Sequence, residues 1–187
     1  MSGYFPERND IMSDSQITKR ALAESMKNLM EERPMKKINI GDIVEGCNMN
    51  RQSFYYHFKD KYDLVNWIYY TEFIVTIKDV PLHSWEIVEK ICEFFYENKA
   101  FYKNAFQVTG QNSFSEYFIE VLHPILTVQL NNVFKNNKNV DFYATFYADA
   151  IRVSISRWLT EGAAIPPEKF VELIKTAIEG VAAYINE

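Results

Sequence analysis

The chain has 187 residues, 48% of them hydrophobic and 16% aromatic, with 24% charged and a formal net charge of -5. That apolar content supplies one sizeable core, or a small domain beside a larger one, and excludes disorder as the dominant state. The acidic balance argues against a protein coated in nucleic acid. Two cysteines outside any CxxC pair, with only three histidines, support neither a zinc site nor a disulfide framework, so no metal and no cofactor is expected. No run approaches the ~20 apolar residues of a membrane span. The start, MSGYFPERNDIM, lacks the pattern of a signal peptide, and a reducing, cytoplasmic location is expected.

The elements read as helices in chain order, after a loose arm of about a dozen residues. Ser13 with Gln16 matches a capping box, and Ile17, Ala21, Leu22, Met26, Leu29 and Met30 form the apolar stripe of a first helix that ends at Arg33, before Pro34. Two very short apolar segments follow, 40–47 and 51–58, opened by Asn39 and Asn50 as N-caps. Asn48 lies between them and suits a left-handed turn. Asp60 caps a fourth helix over 61–77, which stops before Pro81. Five longer helices are predicted at 84–97, 99–109, 113–135, 140–161 and 167–185. Pro124 should kink or split the third of these, and Gly162 and Pro167 should close and open the last two.

Helices of about eight residues are unstable alone and need the first helix to hold them. A short helix, a tight turn and a second short helix form a helix-turn-helix, whose second helix can place its first turn in a DNA major groove. The chemistry of that turn fits. Arg51 can bond guanine, Gln52 adenine, and Ser53 either. Tyr55 follows on the same side and can reach a phosphate with its hydroxyl. Phe54 and Phe58 face inward. Lys61 opens the next helix, where its ammonium favours a phosphate. The charge distribution agrees weakly: nine Lys/Arg meet eight Asp/Glu over residues 13–66, against ten and fifteen over residues 67–187.

Residues 38–64, INIGDIVEGCNMNRQSFYYHFKDKYDL, resemble the TetR-family signature, above all in Tyr55, His57, Phe58 and Lys61. Asn48 stands where that family usually has glycine, and Asn39 where it has threonine. The resemblance implies base contacts by Arg51, Gln52 and Ser53 and phosphate contacts by Tyr55 and Lys61, with Asn39 and Asn50 completing the DNA-facing set. It gives His57 a packing role. It also implies a homodimer built on the last two helices of each subunit, operator DNA as partner, and a C-terminal domain that receives an effector. Arg157-Trp158-Leu159-Thr160-Glu161-Gly162, Pro166-Pro167-Glu168 and the segment 62–68 resemble a TetR subgroup that includes activators of dihydroxyacetone-kinase operons.

The expected fold is therefore all-α. An N-terminal helix-turn-helix domain spans 13–75, with its motif at 39–58, and a regulatory and dimerisation domain spans 76–187. The final helix offers Phe170, Val171, Leu173, Ile174, Ala177, Ile178, Val181, Ala182 and Ile185, more apolar surface than one protomer covers. Aromatic residues crowd the middle helices. Most read as core, but Tyr102, Phe106, Phe118 and Tyr147 are candidates to line a small-molecule cavity, and Arg152 a candidate partner for an anionic group. A docking surface for a partner protein is the alternative. His83, His123, Cys47 and Cys92 read as ordinary structural residues. No nucleophile elbow, phosphate loop, dinucleotide fingerprint or metalloprotease motif invites an enzymatic reading. The expected function is a ligand-responsive repressor, with a partner-controlled activator or a helical interaction module without DNA binding as rivals.

Overall fold

The structure, a computed structural model, describes residues 14–81, 84–134 and 138–186, with side chains described to residue 183. Ser13, His83 and the Ile185 side chain, named above, lie outside the described residues. Every regular element among the described residues is helical: α1 (Asp14–Glu32), α2 (Ile40–Glu45), α3 (Arg51–His57), α4 (Lys61–Tyr69), α5 (Glu86–Glu97), α6 (Lys99–Phe106), α7 (Phe114–Val133), α8 (Val140–Thr160) and α9 (Pro167–Asn186). A 3-10 turn occupies Met35–Lys37 and a π-helical turn Tyr70–Ile74.

The head is made by α1 burying Leu22, Met26 and Met30 against Ile43 and Val44 of α2, Phe54 of α3, and Leu64, Val65 and Ile68 of α4. Gly46 permits the close approach of α1 and α2. A Cβ there would collide with Ser25 Oγ, which donates to Ile43 O at 2.7 Å. Ile17, expected on the buried stripe, is half exposed near the start of α1.

The fourth helix is shorter than its periodicity suggested. Its α-helical part ends at Tyr69, and the chain widens into the π turn, closed by Val75 N–H donating to Tyr70 O at 3.0 Å. Thr71 Oγ1 donates to Trp67 O at 2.8 Å, competing with the regular ladder at that point.

In the remaining part α7 packs on α8, and α5 packs on α9, with α6 wedged between α1, α7 and α8. Helix α7 continues across Pro124 without splitting. Burial of Leu122, Ile125, Leu126 and Leu130 on either side, each worth ~1.5–3 kcal/mol, outweighs the ~3 kcal/mol cost of an interior proline. Gly162 (φ 86°) ends α8 as expected, with Ala163 N–H reaching back to Trp158 O at 2.8 Å.

Helix α9 needs a correction. Phe170, Val171, Ile178 and Ala182 are buried within the protomer, Ile178 to 1% exposure, because this face covers α5. Of the described residues expected on that apolar surface, Leu173, Ala177 and Val181 remain outward. Phe142, Phe146 and Val153 of α8 are likewise exposed, Phe142 to 66%. Among the described residues no helix is long and apolar enough to cross a membrane.

Candidate nucleic-acid interface

The two short helices are fixed by their asparagines. Asn39 Oδ1 accepts from Asp42 N–H at 3.2 Å while Asp42 Oδ2 accepts from Asn39 N–H at 2.9 Å, a reciprocal capping box. Asp42 is also 3.2 Å from the Arg33 guanidinium, which ties α2 back to the end of α1. Asn48 takes the left-handed conformation (φ 55°), and Met49 N–H donates to Val44 O at 2.8 Å across the turn. Asn50 Oδ1 then caps α3, accepting from Ser53 N–H at 2.8 Å and from the Ser53 hydroxyl at 3.1 Å. Both asparagines therefore spend their side-chain carbonyls on the fold.

Phe54 and Phe58 anchor the inner face of α3 in the core. Arg51, Gln52, Tyr55 and Tyr56 stand on its outer face, all exposed. Ser53 is half-buried with its donor spent on Asn50, so toward a ligand it is an acceptor. Tyr56 is 83% exposed and was missed in the sequence. It lies one helical turn beyond Gln52, a spacing that could have placed it on the outer face. Gln52, Ser53, Tyr56 and His57 line, with Thr18 and Asn50, a shallow cleft of about 270 Å³. Partial burial and then Lys19 lower the His57 pKa from its ordinary value. The Lys19 ammonium lies 5.8 Å from both the Phe58 and Trp67 rings.

Lys61 sits differently from the expectation. Its ammonium turns inward and donates to Met35 O at 2.8 Å and Ile38 O at 2.6 Å, clamping the turn that leads into α2. Burial lowers its pKa, against the raising effect of Asp42 and Asp60. At α4 the free N–H groups of Tyr62 and Asp63 are taken by the Asp60 carboxylate at 2.8 and 2.9 Å.

Three of the residues expected to line an effector cavity come together in a packed cluster instead, and the other two lie apart from it. Tyr102, Phe106 and Phe118 belong to one aromatic cluster with Tyr69, Phe95 and Phe114, whose ring centroids lie 4.8–6.2 Å apart. At those separations the rings fill one another's space. Tyr147 instead meets Phe134 and Phe146, and Arg152 is half-buried on α8, 3.9 Å from Asp149. The clefts of 250–450 Å³ that open beside α1, α3, α5 and α8 are lined by other residues than Tyr102, Phe106 and Phe118. Tyr69, at the centre of the cluster, was not singled out by sequence. Its hydroxyl and that of Tyr102 are buried without a hydrogen-bond partner, and burial raises both pKa values well above the usual tyrosine value. Cys47 packs at the edge of the core and Cys92 within it. His123 lies 3.3 Å from Thr145 Oγ1 and 3.5 Å from Asp141.

A three-helix head whose second short helix is anchored by two phenylalanines and turns Arg, Gln and Tyr outward defines a helix-turn-helix DNA-binding protein. Residues 18–68 match the family of bacterial regulatory proteins, tetR family, and residues 83–180 match the transcriptional regulator C-terminal region of the same family. The chain belongs to the TetR family of transcriptional regulators. Over 121 residues it is 27% identical to the HTH-type dhaKLM operon transcriptional activator DhaS of Lactococcus lactis subsp. lactis (strain IL1403), covering 64% of this chain and 62% of that protein. The matched region thus spans less than two thirds of that relative. A solved structure of a dihydroxyacetone kinase operon activator DhaS shares the fold at a TM-score of 0.65, with 21% identity over 90% of this chain and 98% of the other. A TetR-family regulator from Syntrophomonas wolfei superposes at 0.67, with 17% identity over 91% and 97%.

Proposed function

We propose that the protein binds duplex operator DNA as a two-fold dimer in the cytoplasm, with Arg51 and Gln52 on base edges, Ser53 accepting from a base, and Tyr55 and Tyr56 on phosphates or sugars. Asn39 and Asn50 hold the reading turns in place. Lys61 braces the 35–38 turn and offers its remaining N–H to a phosphate. The observation that carries this reading is the joint exposure of Arg51, Gln52, Tyr55 and Tyr56 on a seven-residue helix whose other face is locked into the core. The exposed apolar faces of α8 and α9 supply the dimer contact, and half-sites would then lie ~34–36 Å apart or a multiple of that. Selection from a random duplex pool tests it. Enrichment of a two-fold symmetric sequence, bound with a steep salt dependence, is expected. Arg51→Ala should cost roughly 1–3 kcal/mol and relax preference at one base pair. Absence of salt-dependent binding would favour the interaction-module reading.

Two observations support control by a partner protein and transcriptional activation over a ligand-responsive repressor. The aromatic interior is filled by its own rings, and a relative is named an operon activator. The small-molecule reading draws on the two unpaired hydroxyls of Tyr69 and Tyr102, which a polar ligand entering the cluster would satisfy. Reciprocity separates the two: whichever species shifts operator affinity must bind with an affinity that saturating operator shifts by the same factor.

A further inference from the structure

Gly41 occupies the second position of α2, a six-residue helix that glycine, with its greater chain freedom, favours less than alanine does. Its backbone does not require glycine, because the glycines with positive φ among the described residues are Gly110 and Gly162. Space explains it instead. A Cβ at Gly41 would stand 2.8 Å from the capping Asn39 Oδ1 and 3.0 Å from Arg51 Nη2, with Arg51 Cζ at 3.7 Å. The Arg51 guanidinium is therefore laid across the bare first turn of α2. Among the described residues no hydrogen bond or ion pair holds it there, so its N–H donors face no competing partner among them.

We propose that Gly41 is a specificity-determining residue of the DNA head: its missing side chain makes the groove in which Arg51 rests, and so sets the direction from which that arginine meets a base pair. The proposal rests on the assignment of Arg51 to a base edge. Gly41 acts through Arg51 and is a positioning residue. A bidentate arginine–guanine pair tolerates little angular error. An arginine already lying in its groove also loses less side-chain freedom on binding. A methyl group at position 41 meets two side-chain ends: Asn39 Oδ1, which is held by its cap, and Arg51 Nη2, the far end of a flexible side chain that no cap restrains. The relief is for Arg51 to move, which changes reading geometry more than it changes stability.

The test is a cycle of four proteins: the parent, Gly41→Ala, Arg51→Ala and the double variant. Each is passed through selection from a random duplex pool and through thermal unfolding. Gly41→Ala should keep its binding to non-selected DNA within about twofold. It should lower discrimination about three- to tenfold at the same base pair that Arg51→Ala relaxes. In the Arg51→Ala background it should change nothing further. Equal weakening on all sequences, or effects of the two substitutions that simply add, would overturn the proposal. Should Arg51→Ala select the parent's sequence unchanged, the base-reading assignment itself fails, and Gly41 with it. If Gly41→Ala unfolds because the methyl group presses on Asn39 Oδ1, the same cycle is run with Asn39→Ser. Serine is an equally good cap, and its shorter side chain leaves room for the methyl group. Unchanged discrimination by a folded Asn39→Ser/Gly41→Ala protein, relative to Asn39→Ser, would equally refute the idea.

Discussion

Tyr69 and Tyr102 give the sharpest physical test of the aromatic interior. Their residues are 0% and 1% exposed, their rings meet at 5.9 Å edge to face, and neither hydroxyl has a partner. A buried hydroxyl left unpaired costs ~1–3 kcal/mol of desolvation. Replacement by phenylalanine removes that cost and leaves a space smaller than a methyl group, worth under ~1 kcal/mol. Tyr69→Phe and Tyr102→Phe should therefore each stabilise the protein by about 0.5–2 kcal/mol. For a chain of this length that corresponds to a rise in Tm of roughly 1–8 °C. Because the rings touch, the double variant should depart from additivity. Urea unfolding at one fixed protein concentration, with the slope unchanged, is the appropriate assay, since a dimer's midpoint depends on concentration. A loss of more than ~1 kcal/mol in either single variant would mean that the hydroxyl has a partner in the folded protein, and the reasoning would be wrong. The same variants should leave operator binding unaltered, because these residues lie away from α3. If the signal is a small polar molecule, they should abolish the response to it.

Three further outcomes follow from other parts of the molecule. Burial, aided by the Glu93 carboxylate, pushes the Cys92 thiol from its ordinary 9.0 up to about 12. The unfolded chain therefore releases this proton first, and stability should fall by about 1.4 kcal/mol in all between pH 8 and pH 10, a loss that Cys92→Ala removes in urea melts over that range. Lys61→Met should destabilise the head by roughly 1.5–3 kcal/mol through loss of its bonds to Met35 O and Ile38 O, and weaken binding to all DNA sequences alike, read by unfolding and by titration over salt. Leu173→Glu should yield a folded monomer by light scattering with no operator binding, whereas Ile178→Glu should unfold the protomer itself. A folded monomer from Ile178→Glu would contradict its place against α5.

The head was legible because its signals are local. Asn39, Asn50 and Asp60 each cap the helix they were expected to open, Asn48 makes its turn in the left-handed region, and Phe54 and Phe58 point inward at helical spacing. What escaped depends on contacts between distant segments. Lys61 reads as a free cation on a helix start until Met35 O and Ile38 O, about two dozen residues earlier, are placed beneath it. Ile178 reads as one of many apolar residues on α9, and only the position of α5 decides which of them face inward. The sequence pattern of aromatics could not separate a lined cavity from a filled cluster, because both need the same rings on the same helical faces. The π turn at Tyr70–Ile74 was not legible from periodicity, because the Thr71 hydroxyl's competition for Trp67 O is a side-chain contact that an apolar pattern does not report.

The head and the regulatory part share one continuous core, and that constrains how any signal can act. Helix α1 is tied to the rest by Asn104 Nδ2 donating to Met30 O at 2.6 Å and by the Lys27–Glu72 ion pair at 2.9 Å. Helix α4 carries Leu64 and Val65 in the head's core at one end and Tyr69 in the aromatic cluster at the other. A close-packed interior does not deform continuously, so the head reorients only if these contacts exchange one packing for another. A signal acts by its difference in affinity for the two packings, typically 1–3 kcal/mol, comparable to one buried hydrogen bond of the Asn104 or Lys61 kind. A partner docking outside the cluster needs to shift only α5 or α7 to reach Tyr69. A small molecule must first part rings that are in contact. The second route pays an opening cost that the first avoids, which is the physical ground for preferring a protein signal at this core.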